Sequence, residues 1–154
     1  MGEASTSPDF LTDEDVLRLH ATLIGEFGGE RAVRDLGLLK SAVAQPRATF
    51  GGEYLHGDLF HMAAAYLFHI AKNHAFVDGN KRTALLATLT FLSINDVELA
   101  VASSRLYDLT MSVTQGKVDK EAAAETLRGF AKPPRSRRVK EEIKGRRKPA
   151  RAGR

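Results

Sequence analysis

The residues best suited to chemistry lie together between positions 74 and 83, in the run HAFVDGNKRT. His74 has the only side chain in this run whose ordinary pKa is close to neutral pH, so it can accept a proton. Asp78 supplies a hard carboxylate oxygen, which Mg²⁺ prefers where the ion is shared with phosphates. Lys81 and Arg82 add two positive charges. The run therefore combines a base, a metal ligand and cations.

This run also precedes the expected start of a helix near Arg82. Gly79 can adopt a backbone conformation closed to other residues. The free backbone N–H groups and the positive end of the helix, together with Lys81, would form an anion site suited to phosphate. Such a set fits phosphoryl or nucleotidyl transfer, where positioning and charge neutralisation supply most of the catalysis.

A simpler alternative is an ordinary capped helix start. Asp78 or Asn80 would then cap the helix, and the neighbouring cations would only face water. The basic side chains, however, occupy the helix end at which the dipole disfavours positive charge. This placement favours an anion ligand.

Two long apolar segments, Asp58–Asn73 and Arg82–Asn95, flank this run. Both are apolar most of the way round, which is typical of central helices in a bundle. Capping residues and apolar spacing predict further helices around them. These run from a Thr12 cap to Phe27, from Asp35 to Gln45, from Ser103 or Ser104 to about Gln115, and from an Asp119 cap to about Phe130.

Strand signals are weak. Residues 46–57 read as a hairpin or flap, with Thr49-Phe50 and Tyr54-Leu55 extended around Gly51-Gly52. A short strand could form over Val97–Val101. The predicted fold class is therefore all-α, with about six helices and a small β-hairpin flap.

Composition divides the chain into two regions. Residues 132–154 hold 11 Lys and Arg against two Glu, for a net charge of +9, whereas residues 1–131 carry −5. We expect a folded domain over 1–131 and a disordered basic tail over 132–154, with weak nucleic-acid contact through the tail as an alternative. The absence of cysteine excludes thiol catalysis and disulfides. Without a signal pattern or a membrane-length apolar run, a cytoplasmic location is expected.

The run HAFVDGNKRTA resembles the signature of the Fic/Doc superfamily, and its NKRTA ending is similar to that of death-on-curing (Doc) toxins of toxin–antitoxin pairs. Three further segments look Doc-like and follow the family's order. They are RDLGLLKSAVAQPRATFGG, AAAYLFHIAKNHAF and TALLATLTFLSIND. The resemblance covers roughly residues 10–130 and implies a Fic/Doc-like helical bundle.

The resemblance also implies roles for individual residues. His74 would deprotonate a hydroxyl of the target protein, and Asp78 would hold Mg²⁺. The backbone of residues 79–82, from Gly79 onward, and Asn80 would form the anion hole, with Lys81 and Arg82 on the nucleotide phosphates. Residues 47–55 match the position of the family's flap, which aligns the target peptide as an added strand.

Departures from the Fic pattern bear on the reaction. AMP-transferring members usually carry Gly where this chain has Lys81, and a second Arg where it has Leu85. The resemblance to Doc then implies transfer of the γ-phosphate of ATP to a threonine of elongation factor Tu, which stops translation. No Ser/Thr-x-x-x-Glu-Gly/Asn inhibitory motif occurs, so control would fall to a separate antitoxin chain. Protein adenylylation and a non-catalytic binding module with a basic tail are the alternatives.

Overall fold

The computed structural model describes residues 7–133, which form six helices and one small hairpin. The all-α prediction is confirmed. In chain order the elements are α1 (Asp13–Phe27), α2 (Leu36–Ala44), a 3₁₀ turn (Gln45–Arg47), β1 (Thr49–Phe50), β2 (Glu53–Tyr54), α3 (Leu59–Asn73), α4 (Asn80–Ile94), α5 (Ser103–Thr114) and α6 (Lys120–Phe130).

Helix α3 is the centre of the bundle and contacts α2, α4, α5 and α6. Six consecutive residues, from Met62 to Leu67, are buried in it, so the helix is covered nearly all round. Helix α4 packs against α3 through small residues such as Ala84 and Ala87, which allow the backbones to approach closely. The loop between α3 and α4 is thus fixed at both ends in the core.

Local capping chemistry explains most helix boundaries. Thr12 and Asp15 form a complete capping box before α1, and Asp35, Asp58 and Asp119 each cap a helix through a side-chain oxygen. Pro46 follows the end of α2 and lies in the 3₁₀ turn.

The hairpin prediction is confirmed, with its second strand shifted by one residue. Thr49 pairs with Tyr54 and Phe50 with Glu53, while the two glycines between the strands have positive φ angles of 62° and 85°. Phe50 is 80% exposed at the tip of this flap. An exposed strand edge at this position can accept an extended peptide.

Two predictions outside the site were wrong. Neither Ser103 nor Ser104 caps α5, because the helix begins at Ser103 behind Ala102, which makes no side-chain cap. Residues 97–101 form no strand among the described residues; Leu99 makes one isolated bridge to Ala131. Backbone hydrogen bonds to residues 130 and 132 hold this segment against the end of α6 instead.

The described range contains no helix long and apolar enough to cross a membrane. Residues 134–154, which make up most of the predicted basic tail, lie outside it. The tail and its suggested nucleic-acid contact therefore stay predictions, as does the domain boundary at residue 131.

Candidate functional site

The loop between α3 and α4 turns sharply at two residues with left-handed backbone. His74 ends α3 with φ 54° and ψ 47°, and Gly79 precedes α4 with φ 84° and ψ 15°. This conformation is common for glycine but uncommon for histidine. His74 is exposed rather than turned into the core. Because α3 is buried in the core, the backbone position of His74 at the end of this helix is fixed.

No side chain of the described residues caps the backbone N–H groups at the start of α4. The helix begins at Asn80, two residues earlier than the sequence suggested, and Gly79 as N-cap offers no side-chain hydrogen bond. The first intrahelical bond of this turn runs from Thr83 N–H to the Gly79 carbonyl at 2.9 Å. The N–H groups of residues 80–82 have no helical acceptor, which is the usual anion-binding feature of a helix start. Neither Asp78 nor Asn80 caps α4, so this part of the capped-start alternative is wrong.

The Asn80 side chain closes the loop on itself. Its Oδ1 accepts from Phe76 N–H at 3.0 Å, and its Nδ2 donates to the Phe76 carbonyl at 2.9 Å. The amide that the resemblance assigned to an anion hole is therefore occupied within the loop. Asn80 also lines the cleft described below.

The loop is anchored in the core by Phe76, which is 1% exposed and stacks face to face on the ring of His20 from α1. The ring centroids lie 3.7 Å apart with an interplanar angle of 8°. His20 is itself buried and donates from Nε2 to the Asp78 carbonyl at 2.9 Å. Phe76 therefore anchors the loop in the core.

The connection between α1 and α2 supports the loop from the other side. The backbone N–H groups of Arg34 and Asp35 both donate to the Ala75 carbonyl, at 2.8 and 3.0 Å. The Arg34 guanidinium donates through Nε to the His74 carbonyl at 2.7 Å. This last bond satisfies a carbonyl that the end of α3 leaves without a helical donor.

Asp78 has one carboxylate oxygen engaged and the other free among the described residues. Its Oδ2 accepts from Glu30 N–H at 2.7 Å, and its side chain is exposed. The Asp78 carboxylate lies next to the free N–H groups at the start of α4, which form an anion cradle. A carboxylate in this setting fits Mg²⁺ that is shared with phosphates. The residues present therefore fit the ion that the sequence suggested.

The proposed site residues meet in one cleft of about 360 Å³. Its lining includes all six predicted site residues, with three additions, one each from α3, the loop and α5. It comprises Ala71, His74, Val77, Asp78, Gly79, Asn80, Lys81, Arg82 and Tyr107. A base, a carboxylate, cations and free N–H groups thus share one solvent-accessible space, large enough for part of a nucleotide.

A second cleft of about 400 Å³ opens on the other side of Arg82. It has apolar walls from the end of α1, including Ile24 and Phe27, and it shares Asp78 and Gly79 with the first cleft. The Arg82 guanidinium lies 4.2 Å from the Phe27 ring centroid. Arg82 is therefore held between the two clefts.

His61 and His69, unlike His20, make their hydrogen bonds away from the loop. His69 accepts a hydrogen bond from Lys120 Nζ at 3.1 Å, and burial lowers the pKa of His69 to about 4. His69 thus packs within α3 with one ring nitrogen hydrogen-bonded. His61 bridges Asp58 and Glu121, with 2.9 Å from each ring nitrogen to a carboxylate oxygen.

Glu125 completes a group with His61 and Glu121 whose potential ligand atoms lie within 4.8 Å of one another. Arg128 donates to Glu125 and to Asp58, so these groups form an ion-pair cluster between α3 and α6.

Sequence reasoning missed the residues that support the loop from a distance. In the sequence, His20 is one position of an apolar helical stripe. No neighbouring residue indicates its hydrogen bond to Asp78, which is 58 positions away. Tyr107 lies on α5 in a segment without any motif. The Glu30 contact uses a backbone N–H, which side-chain patterns cannot reveal.

Comparison with known proteins identifies the family of this chain. The model of the Fic/DOC family matches residues 10–92. The "Toxin Doc" of Mycolicibacterium smegmatis is 46% identical over 125 residues, which is 80% of this chain and 94% of that protein. The "Protein kinase doc" of Escherichia phage P1 is 35% identical over 118 residues, which is 77% of this chain and 92% of that protein. The chain belongs to the Fic/Doc family.

Proposed function

We propose that the protein is a Doc-type toxin that transfers the γ-phosphate of ATP to a hydroxyl group of a translation factor such as elongation factor Tu. One observation carries this proposal: His74, Asp78 and the open, cation-flanked start of α4 share a single cleft. The names of the two relatives, a toxin and a protein kinase, support the same class of activity.

In the proposed reaction, the target hydroxyl oxygen attacks the γ-phosphorus, and the bond from that phosphorus to the β,γ-bridging oxygen breaks. ADP leaves, and the hydroxyl proton passes to the imidazole of His74. The N–H groups at the start of α4, with Lys81 and Arg82, would bind the phosphate oxygens. Mg²⁺ held by Asp78 would neutralise phosphate charge.

Residue 85 supports phosphate transfer over AMP transfer. The position three residues after Arg82 carries Leu85, which is half-buried and packs against the core. A nucleotide bound in the AMP-transferring direction would lack a cation there for its distal phosphates. The substitution of Lys81 for a glycine adds charge near the turn instead.

The flap suggests how the target protein binds. The exposed hairpin of residues 49–54 offers a strand edge on which a target peptide could lie. A cognate antitoxin would be the regulator, because the sequence contains no inhibitory motif of its own. We expect both partners, as well as ATP, in the cytoplasm.

Labelled ATP and purified elongation factor Tu test the reaction directly. Transfer of γ-label and not of α-label to the factor is expected. Appearance of α-label would establish AMP transfer in its place, and absence of both labels would reject this target.

The His74→Ala variant tests whether the chemistry depends on the loop. Loss of a general base should lower the transfer rate by roughly 10²–10⁴-fold while nucleotide still binds. Expression of this variant should no longer arrest growth. If it arrested growth as strongly as the parent, the non-catalytic alternative would hold.

A further inference from the structure

His20 lies outside the run HAFVDGNKRT but contacts two of its residues, Phe76 and Asp78. Its ring is buried on α1 beneath the loop, and Nε2 lies 2.9 Å from the Asp78 carbonyl oxygen. The face-to-face contact with Phe76 fixes the plane of the imidazole. The ring is therefore aimed at one peptide group.

The hydrogen bond defines the direction of that peptide group. A carbonyl oxygen can only accept, so Nε2 of His20 must carry the proton. In a trans peptide, the N–H of the next residue points away from the carbonyl. Because the Asp78 carbonyl points to His20, the Gly79 N–H points away from His20, and Gly79 lines the cleft of about 360 Å³.

Gly79 also packs directly on His20. A Cβ at this position would lie 3.5 Å from Cδ2 of the His20 ring and 3.4 Å from Cδ1 of Ile24. The ring thus supports the turn both through its donor and through its surface. Without the donor, the peptide between residues 78 and 79 would lose the partner that fixes its orientation.

We propose that His20 is a positioning residue that sets the direction of the Gly79 N–H and so completes the anion cradle at the start of α4. The consequence for nucleotide rests on the proposed function. The orientation of the peptide itself does not depend on any ligand.

Two substitutions separate the donor from the ring. His20→Phe keeps an aromatic ring against Phe76 but removes the donor, whereas His20→Gln keeps an N–H donor without the ring. His69→Gln is the control, since it alters a histidine with one hydrogen bond in another part of the bundle. Calorimetric titration with a non-hydrolysable ATP analogue and Mg²⁺ gives the affinities.

We expect affinity to fall roughly fivefold in His20→Phe, as for one lost hydrogen bond, and to recover largely in His20→Gln. His69→Gln should bind like the parent. Equal binding by His20→Phe and the parent would overturn the proposal. Equal weakening in His69→Gln would also overturn it, because general loosening of the bundle would then be the cause.

Nuclear magnetic resonance tests the orientation without nucleotide. The Gly79 amide resonance should shift in His20→Phe and return toward the parent position in His20→Gln. Nitrogen shifts of the His20 ring in the parent protein should report protonated Nε2; an unprotonated Nε2 would refute the assignment even if no variant folds. Failure of the parent to bind nucleotide would reject the proposed function and leave this result to decide the role of His20.

Discussion

The side chain of Asn80 permits a sharp test of whether the loop must be held rigid for the site to work. Asn80→Ala removes two hydrogen bonds to the backbone of Phe76, measured at 3.0 and 2.9 Å. At about 1 kcal/mol each, and with a small gain from alanine in the helix, the free energy of unfolding should fall by about 1.5 kcal/mol. For a domain of this size that is a shift of about 1 M in the urea midpoint.

The opposite end of the same helix supplies the control. Asn95 donates to the Phe91 carbonyl at 2.8 Å and exchanges two hydrogen bonds of 2.9 Å with the backbone of Asp9. Asn95→Ala should therefore destabilise the protein by a similar amount, because part of its contact is with the exposed Asp9. It lies far along α4 from the cleft, so nucleotide affinity should stay at the parent level.

The two variants should separate when nucleotide binding is measured by calorimetry. Asn80→Ala frees the loop to leave its binding-competent conformation, and a loss of about 1.4 kcal/mol in that preference weakens binding by up to about tenfold. If Asn80→Ala bound nucleotide as tightly as Asn95→Ala, the rigidity of the loop would not matter for binding. The proposed role of Asn80, which is to hold the loop in its binding-competent conformation, would then be wrong.

Two further predictions concern a pH-dependent contact and the turn itself. Hydrogen bonds to the Glu121 and Asp58 carboxylates raise the pKa of His61 above 6.5, so its stabilising contribution is full below that pH and is lost as pH rises through the raised value. The stability advantage of the parent over His61→Gln, measured with urea, should thus shrink by up to about 1 kcal/mol between about pH 6 and pH 8.5, and an advantage that grew with pH would contradict it. Gly79→Ala places a side chain at φ 84°, which should cost about 1 kcal/mol in urea unfolding and weaken nucleotide binding, whereas parent-like values for both would show that the turn tolerates a Cβ.

Much of the fold was predictable because its signals are local. The capping box at Thr12 and the aspartate caps need only three or four neighbouring residues, and Gly-Gly alone suffices to suggest the hairpin turn. The start of α5 was mispredicted because Ser103 looks like a cap in sequence. The structure makes Ala102 the last extended residue, and no hydroxyl closes that helix.

The segment at residues 97–101 shows the limit of local signals. Its composition is strand-like, but a strand needs a partner, and the partner here is the end of α6 some thirty residues later. Ala100 N–H donates to the Phe130 carbonyl and Lys132 N–H to the Glu98 carbonyl. Two such bonds hold the segment without extending it into a ladder.

The candidate site was also predictable only where its signals are local. The residues from His74 to Arg82 are adjacent in sequence, so their chemistry could be predicted, and all of the predicted site residues line one cleft. Their individual roles stay predictions. What the sequence could not show is the use of Asn80, whose amide looks available for a ligand until the bonds to Phe76 are seen.

The supports of the loop nearly all come from the part of the chain that precedes the flap. His20 holds the Asp78 carbonyl, Glu30 N–H holds the Asp78 carboxylate, and Arg34 holds the His74 carbonyl. The buried helices α3 and α4 fix where the loop begins and ends, but they do not determine the orientation of the peptide groups between them. Residues 20–35 therefore support the loop, although their sequence alone does not mark them for this role. Substitutions there that leave the core intact should change nucleotide binding more than they change stability.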